Sequence, residues 1–213
     1  MFSGTINKTL MNVFGAALLI NGFLVLAQYL AVAPIGTDFL LGIATFAVLP
    51  MLAAFLAIPV SVVLLFLRRY RITGLKILLA GAIYLIIGIG GIRLSVNVRH
   101  NGFVDLAQRS RPLVSAIQQF DTKYGKPPAN LEQLVPEFLP NVPPTGIGAY
   151  PNYEYVAVPD QVTYEGNPWI LKVRTPSGGM NWDMFLYFPK QNYPKAGYGG
   201  WLERIEDWAY VHE

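Results

Sequence analysis

The 213-residue chain is 53% hydrophobic and 14% charged, with a mean hydropathy of +0.38, too apolar for a wholly soluble globule. Its net charge of +3 does not point to nucleic acid: up to Val98 the bases Lys8, Arg68, Arg69, Arg71, Lys76 and Arg93 face Asp38 alone, whereas from Arg99 onward ten bases face twelve acids. The lack of cysteine excludes disulfides, thiolate metal sites and covalent haem attachment.

Three apolar runs come first, at residues 11–33, 39–67 and 75–96. Each is long enough to cross a hydrocarbon core, which takes roughly 20 residues of helix. A membrane anchor over 1–98 and an extramembrane domain over 99–213 are therefore expected. The connection RRYRITGLK between the second and third runs is basic, and the first connection, APIGTD, is not. The positive-inside rule then puts the N-terminus in the cytoplasm and the second domain in the periplasm of a bacterial inner membrane. The first run has a nearly uncharged flank, is long for a signal peptide, and would be cut just before Pro34, so an uncleaved anchor is expected.

Polar residues within the runs are few, among them Asn12, Asn21, Gln28, Thr45, Ser61 and Tyr84. No Asp, Glu, Lys or His lies mid-membrane, so an ion relay or a charged-substrate path lacks its usual groups. Pro50 and Pro59 each remove a backbone donor and should kink the second helix. Ala53 with Ala57, and Gly81 with Gly88, give small-residue faces where helices approach closely, either within the anchor or against another subunit.

Beyond the third run, Phe103, Leu106, Leu113, Val114, Ile117 and Phe120 recur at helical spacing. One rod is expected, with a bend near His100–Gly102, a kink at Pro112 and a stop at Gly125. NLEQLVPEFLP reads as a short helix with Asn130 as N-cap. Period-two segments follow, YEYVAV, WILKVR, DMFLYF and WLERIEDWAYV, parted by VPDQ, TPSGGMN and PKQNYPKAGYGG. They predict an antiparallel meander crossed by the helix, an α+β domain.

A helix running out of an apolar run, then YGKPPANLEQLVPEFLPNVP with its glycine, prolines and leucines, then a Tyr-rich sheet, resembles the pseudopilins of type II secretion and type IV pilin-like domains. The resemblance covers Gln108 to about Tyr155, with the sheet consistent to the end. It implies a long helix packed on an antiparallel sheet.

No chemistry motif stands out. Glu203, Glu206 and Asp207 are acidic neighbours, which strand alternation would split between two faces. Asp183 beside Asn181 gives one carboxylate where calcium takes several oxygens, and His100 and His212 are far apart in sequence. No catalytic residue, cofactor or metal is expected.

The aromatic load is the remaining signal. All four tryptophans, Trp169, Trp182, Trp201 and Trp208, lie in the second domain, and with Tyr193 and Tyr198 they are the candidate partner contacts. The expectation is a non-enzymatic accessory subunit of a larger membrane complex, energy-converting, photosynthetic or secretory, in contact with other subunits and the lipid bilayer. A membrane-anchored sensor that binds glycan or peptide through the same aromatics is the alternative.

Overall fold

The computed structural model describes residues 2–157, 162–178, 181–195, 198, 200–212, without the side chains of 2–6. The VPDQ turn and parts of the TPSGGMN and PKQNYPKAGYGG loops lie outside the described residues. The chain divides into two compact units, Met1–Tyr29 with Phe39–Val98, and Leu30–Asp38 with Arg99–Glu213.

The first unit holds three helices long and apolar enough to cross a membrane. Helix α1 spans Phe2–Val32, α2 Phe39–Ala44, α3 Val48–Phe66, and α4 begins at Arg71. Where one kinked helix is expected over 39–67, a 3-10 turn at Thr45–Ala47 separates α2 from α3. Pro50 explains the break, because it has no N–H to return to the carbonyl four residues earlier. Pro59 is accommodated inside α3. Small residues of α4 let α3 and α1 approach: a Cβ at Gly81 would lie 3.3 Å from the Ala54 carbonyl oxygen, and one at Gly91 2.7 Å from Asn21 Cβ.

Helix α4 continues to Tyr124, 54 residues in all, with no interruption at His100–Gly102. Pro112 is tolerated because it and Gln108, whose carbonyl it leaves unbonded, face solvent. Gly125, at φ 69°, ends the helix as expected, its N–H bonding the Asp121 carbonyl at 2.8 Å. The next segment is a 3-10 turn, Leu131–Leu134, capped by Asn130, whose side chain accepts from the Gln133 N–H at 3.2 Å.

Five strands follow: β1 Glu154–Ala157, β2 Trp169–Arg174, β3 Met184–Tyr187, β4 Trp201–Ile205 and β5 Trp208–His212. They form one antiparallel sheet in the order β1-β2-β3-β5-β4, which corrects the meander. WLERIEDWAYV is a hairpin of two strands, turned at Glu206 and Asp207 with Glu206 at φ 54°. After β3 the chain crosses to the sheet edge to form β4, and β5 returns to pair with β3.

Alternation gives the sheet two apolar faces. One receives α4: Phe103 stacks on Phe185 at 5.0 Å between centroids, and Phe185 on Trp208 at 4.8 Å. Leu106, Leu113 and Ile117 are fully buried along the same helix, so the periodic stripe is core. On the other face Ile170, Leu186, Phe188 and Val211 form a second cluster, against which Tyr164, Tyr193 and Tyr198 pack. This is a helix-on-sheet α+β domain with a loop layer on its outer face.

Candidate interaction surfaces

The second unit begins at a buried polar network. Arg99, the first residue of α4 in this unit, is 6% exposed. Its Nε donates to the Tyr210 hydroxyl at 2.8 Å, and its Nη2 donates to the Thr175 carbonyl. Tyr210 in turn donates to Asp183 Oδ2 at 2.6 Å, and that carboxylate is 4.0 Å from Arg99 Nη2. Burial holds the Tyr210 hydroxyl well above the usual phenol range, so it remains a donor to Asp183. The guanidinium also lies 4.9 Å from the Phe103 ring centroid. The buried charge next to an apolar run thus meets β5 at Tyr210 and both ends of the β2–β3 connection, at Thr175 and Asp183.

One residue further on, His100 Nδ1 lies 2.9 Å from Glu203 Oε1, while His212 Nε2 lies 3.1 Å from Glu203 Oε2. The two histidines, distant in sequence, share one carboxylate, a contact that sequence spacing hides. Each imidazole bonds a different oxygen, a hydrogen-bonded bridge rather than a ligand sphere. Among the described residues, no group of three His, Cys, Asp or Glu side chains is arranged to hold a metal ion. The acidic cluster is dispersed: Glu203 is in β4, whereas Glu206 and Asp207 form the turn, where Glu206 pairs with Arg111 at 3.3 Å.

The six candidate aromatics separate sharply by burial. Trp169 and Trp208 are each 1% exposed and belong to the core. Tyr193 is half-buried, accepts from the Phe188 N–H at 2.9 Å and donates to the Asp207 carbonyl at 2.8 Å, so it fastens the loop layer. Burial pushes the Tyr198 hydroxyl up to about 12, against the same layer. Only Trp182, 73% exposed, and Trp201, 65% exposed, offer indole surface outward. Trp182 lines a cavity of about 340 Å³ with Lys172, Arg174, Pro176, Asn181, Asp183 and Met184. Lys172 and Arg174 are held there by Glu154, at 3.0 and 2.6 Å.

In the first unit, Ala53 and Ala57 line a groove of about 280 Å³ with Val13, Pro50, Ala54, Ile77, Ala80, Gly81 and Tyr84. The Tyr84 hydroxyl is buried beside it with no hydrogen-bond partner among the described residues. Gly88 lies apart from that groove, its Cα packed toward Met51. Of the helix-packing candidates, Ala53, Ala57 and Gly81 therefore meet at one place, and Gly88 serves contact within the first unit. Compared with family models, with curated proteins and with solved structures, the chain matches none.

Proposed function

We propose that this chain is a non-enzymatic accessory subunit of a larger membrane protein complex, anchored by three membrane-crossing helices with the N-terminus in the cytoplasm and a pseudopilin-like domain in the periplasm. The observation that carries the reading is the groove of small residues beside an unpaired Tyr84 hydroxyl. Between helices in lipid there is no hydrophobic drive, so association rests on close packing at small residues and on interhelical hydrogen bonds. A buried hydroxyl with no partner costs about 1–3 kcal/mol, which a helix bringing an acceptor would recover once Tyr84 turns its covered hydroxyl toward the groove it lines. The groove supplies both elements for a helix of another subunit. Extraction of native membranes in mild detergent, followed by native electrophoresis and mass spectrometry, tests this: the chain should migrate with other subunits in fixed proportion. Migration as a lone monomer would defeat the reading.

A second reading is favoured by the cavity at Trp182, where an indole, two cations and the Asn181 amide converge. That set suits stacking and hydrogen bonding to a glycan or a short peptide. Titration of the full-length protein in detergent with cell-wall saccharides and peptides, with Trp182→Ala as control, tests it.

A further inference from the structure

The two exposed tryptophans stand at the same end of the second unit, and it is the end at which the chain leaves the apolar runs. Trp182 adjoins Asp183, which is bonded to Tyr210 and through it to Arg99. Trp201 is the register partner of His212, the rings 4.3 Å apart, and His212 shares Glu203 with His100. Both indoles are therefore tied to the first two α4 residues of this unit. Val96 closes the third apolar run. Three helical residues from Val96 to Arg99 rise only about 4.5 Å.

A second attachment fixes the same end. The segment Leu30–Asp38, which links the first two apolar runs, belongs to this unit. The Gly148 N–H donates to the Ala33 carbonyl at 2.9 Å, and a Cβ at Gly102 would lie 2.5 Å from Val32 Cβ. Tyr150, two residues past Gly148, donates to the Pro176 carbonyl at 2.7 Å, joining this segment to the Trp182 loop. Ile35, at the tip of the link, is 94% exposed. The headgroup layer on each side of a bilayer is about 5–8 Å deep, the difference between its total and hydrocarbon thickness shared by two faces. Groups at the end of the unit where the chain exits stand beside that layer, in which indole rings are enriched because one edge is apolar and the other donates a hydrogen bond.

We propose that the end of the second unit bearing Trp182, Trp201 and Ile35 is seated in the headgroup layer of the bilayer that its own apolar helices enter. The occupant of this surface is lipid, which leaves the Tyr84 groove as the contact with other subunits. The inference rests on the reading that those helices cross a membrane, and flotation with lipid vesicles after alkaline carbonate washing tests that reading separately.

The full chain is reconstituted in phosphatidylcholine nanodiscs, with or without lipids brominated near the acyl carbonyl, and tryptophan fluorescence is recorded for wild type and Trp182→Phe/Trp201→Phe. Brominated lipid should quench wild type, and most of that quenching should vanish in the double variant, whose emission comes from buried Trp169 and Trp208. Aqueous iodide should have little effect on either. The proposal is overturned if iodide quenches the two indoles and brominated lipid does not, or if both quenchers leave them untouched. It is also overturned if they are open to iodide in nanodiscs but shielded in native membranes, since a protein partner would then be the occupant. Unchanged near-ultraviolet circular dichroism of the variant excludes misfolding.

Discussion

Arg99 Nε donates to the Tyr210 hydroxyl at 2.8 Å, and that bond ties the helix leaving the apolar run to the final strand of the sheet. Because Asp183 bonds Tyr210 and the Thr175 carbonyl accepts from Arg99, the second unit closes around a buried charge at its first α4 residue. Arg99→Met removes the buried cation that bonds Tyr210 and the Thr175 carbonyl and faces Asp183, and should destabilise the second unit by about 3–5 kcal/mol. Tyr210→Phe removes a bridge between two charged groups and should cost about 1–3 kcal/mol. Urea unfolding of the detergent-solubilised protein, followed by near-ultraviolet circular dichroism, checks both. Equal stability of Arg99→Met and wild type would show that the network adds no net stability.

Buried phenols of the second unit, Tyr210 of this network among them, set an alkaline limit. Burial raises Tyr153, to about 12, and also Tyr155, Tyr193, Tyr198 and Tyr210. A tyrosine whose folded value lies above its unfolded one favours the folded state below the unfolded value, about pH 10, and that contribution is lost as pH rises toward the folded value. The second unit should thus be insensitive to these groups at neutral pH and lose stability progressively above about pH 10. Tyrosinate absorbance and circular dichroism recorded together check this: the late phenols should ionise with loss of tertiary signal rather than before it.

Helix α4 carries a test of its own packing. Ile117 is fully buried, whereas Ser115 is exposed and accepts from Gln119 at 3.0 Å. Ile117→Asp should destabilise the second unit by several kcal/mol, about 3–5, while Ser115→Asp should change stability by less than about 0.5 kcal/mol. Limited proteolysis separates them, and equal resistance would mean that the stripe does not hold the sheet.

Much of this packing is legible in the chain because it is periodic. Phe103, Leu106, Leu113 and Ile117 repeat with the helical turn, and Asn130 announces a helical start through a side-chain acceptor, so both read correctly from local sequence. The hairpin at Glu206 does not, since it takes a left-handed φ without the Asn or Gly that marks such turns. The strand order is also hidden, because β5 enters between β3 and β4 through long-range pairing. Among the tryptophans, Trp169 shares its sheet face with Leu171 and Val173, while Trp182 sits in a loop; composition alone treats them alike. The shared use of Glu203 by His100 and His212 arises only once α4 and the final hairpin are side by side.

Topology is open to direct labelling. Lys126, exposed just past the end of α4, and Thr73, exposed in the basic connection, should lie on opposite sides of the membrane. With no native cysteine, Lys126→Cys should react with an impermeant maleimide in cells with a permeabilised outer membrane, and Thr73→Cys should react only after lysis. The reverse pattern would invert the orientation.

The groove gives the most direct test of the accessory-subunit reading. Ala53 lines it from an exposed position on α3, and Leu52, also exposed, does not line it. Filling the groove with Ala53→Trp should leave the chain folded and inserted, since no buried atom is displaced, yet should prevent a partner helix from approaching at its small residues. Leu52→Trp puts the same ring toward lipid and should have little effect. Tyr84→Phe removes the unpaired hydroxyl and should weaken association by about 0.6–1.7 kcal/mol, the range for hydrogen bonds between helices in lipid, while leaving the isolated chain as stable or slightly more so. The measurement is recovery of partner subunits with each tagged variant in mild detergent. Undiminished recovery with both Ala53→Trp and Tyr84→Phe would remove the groove from the interface and the principal support for a subunit role.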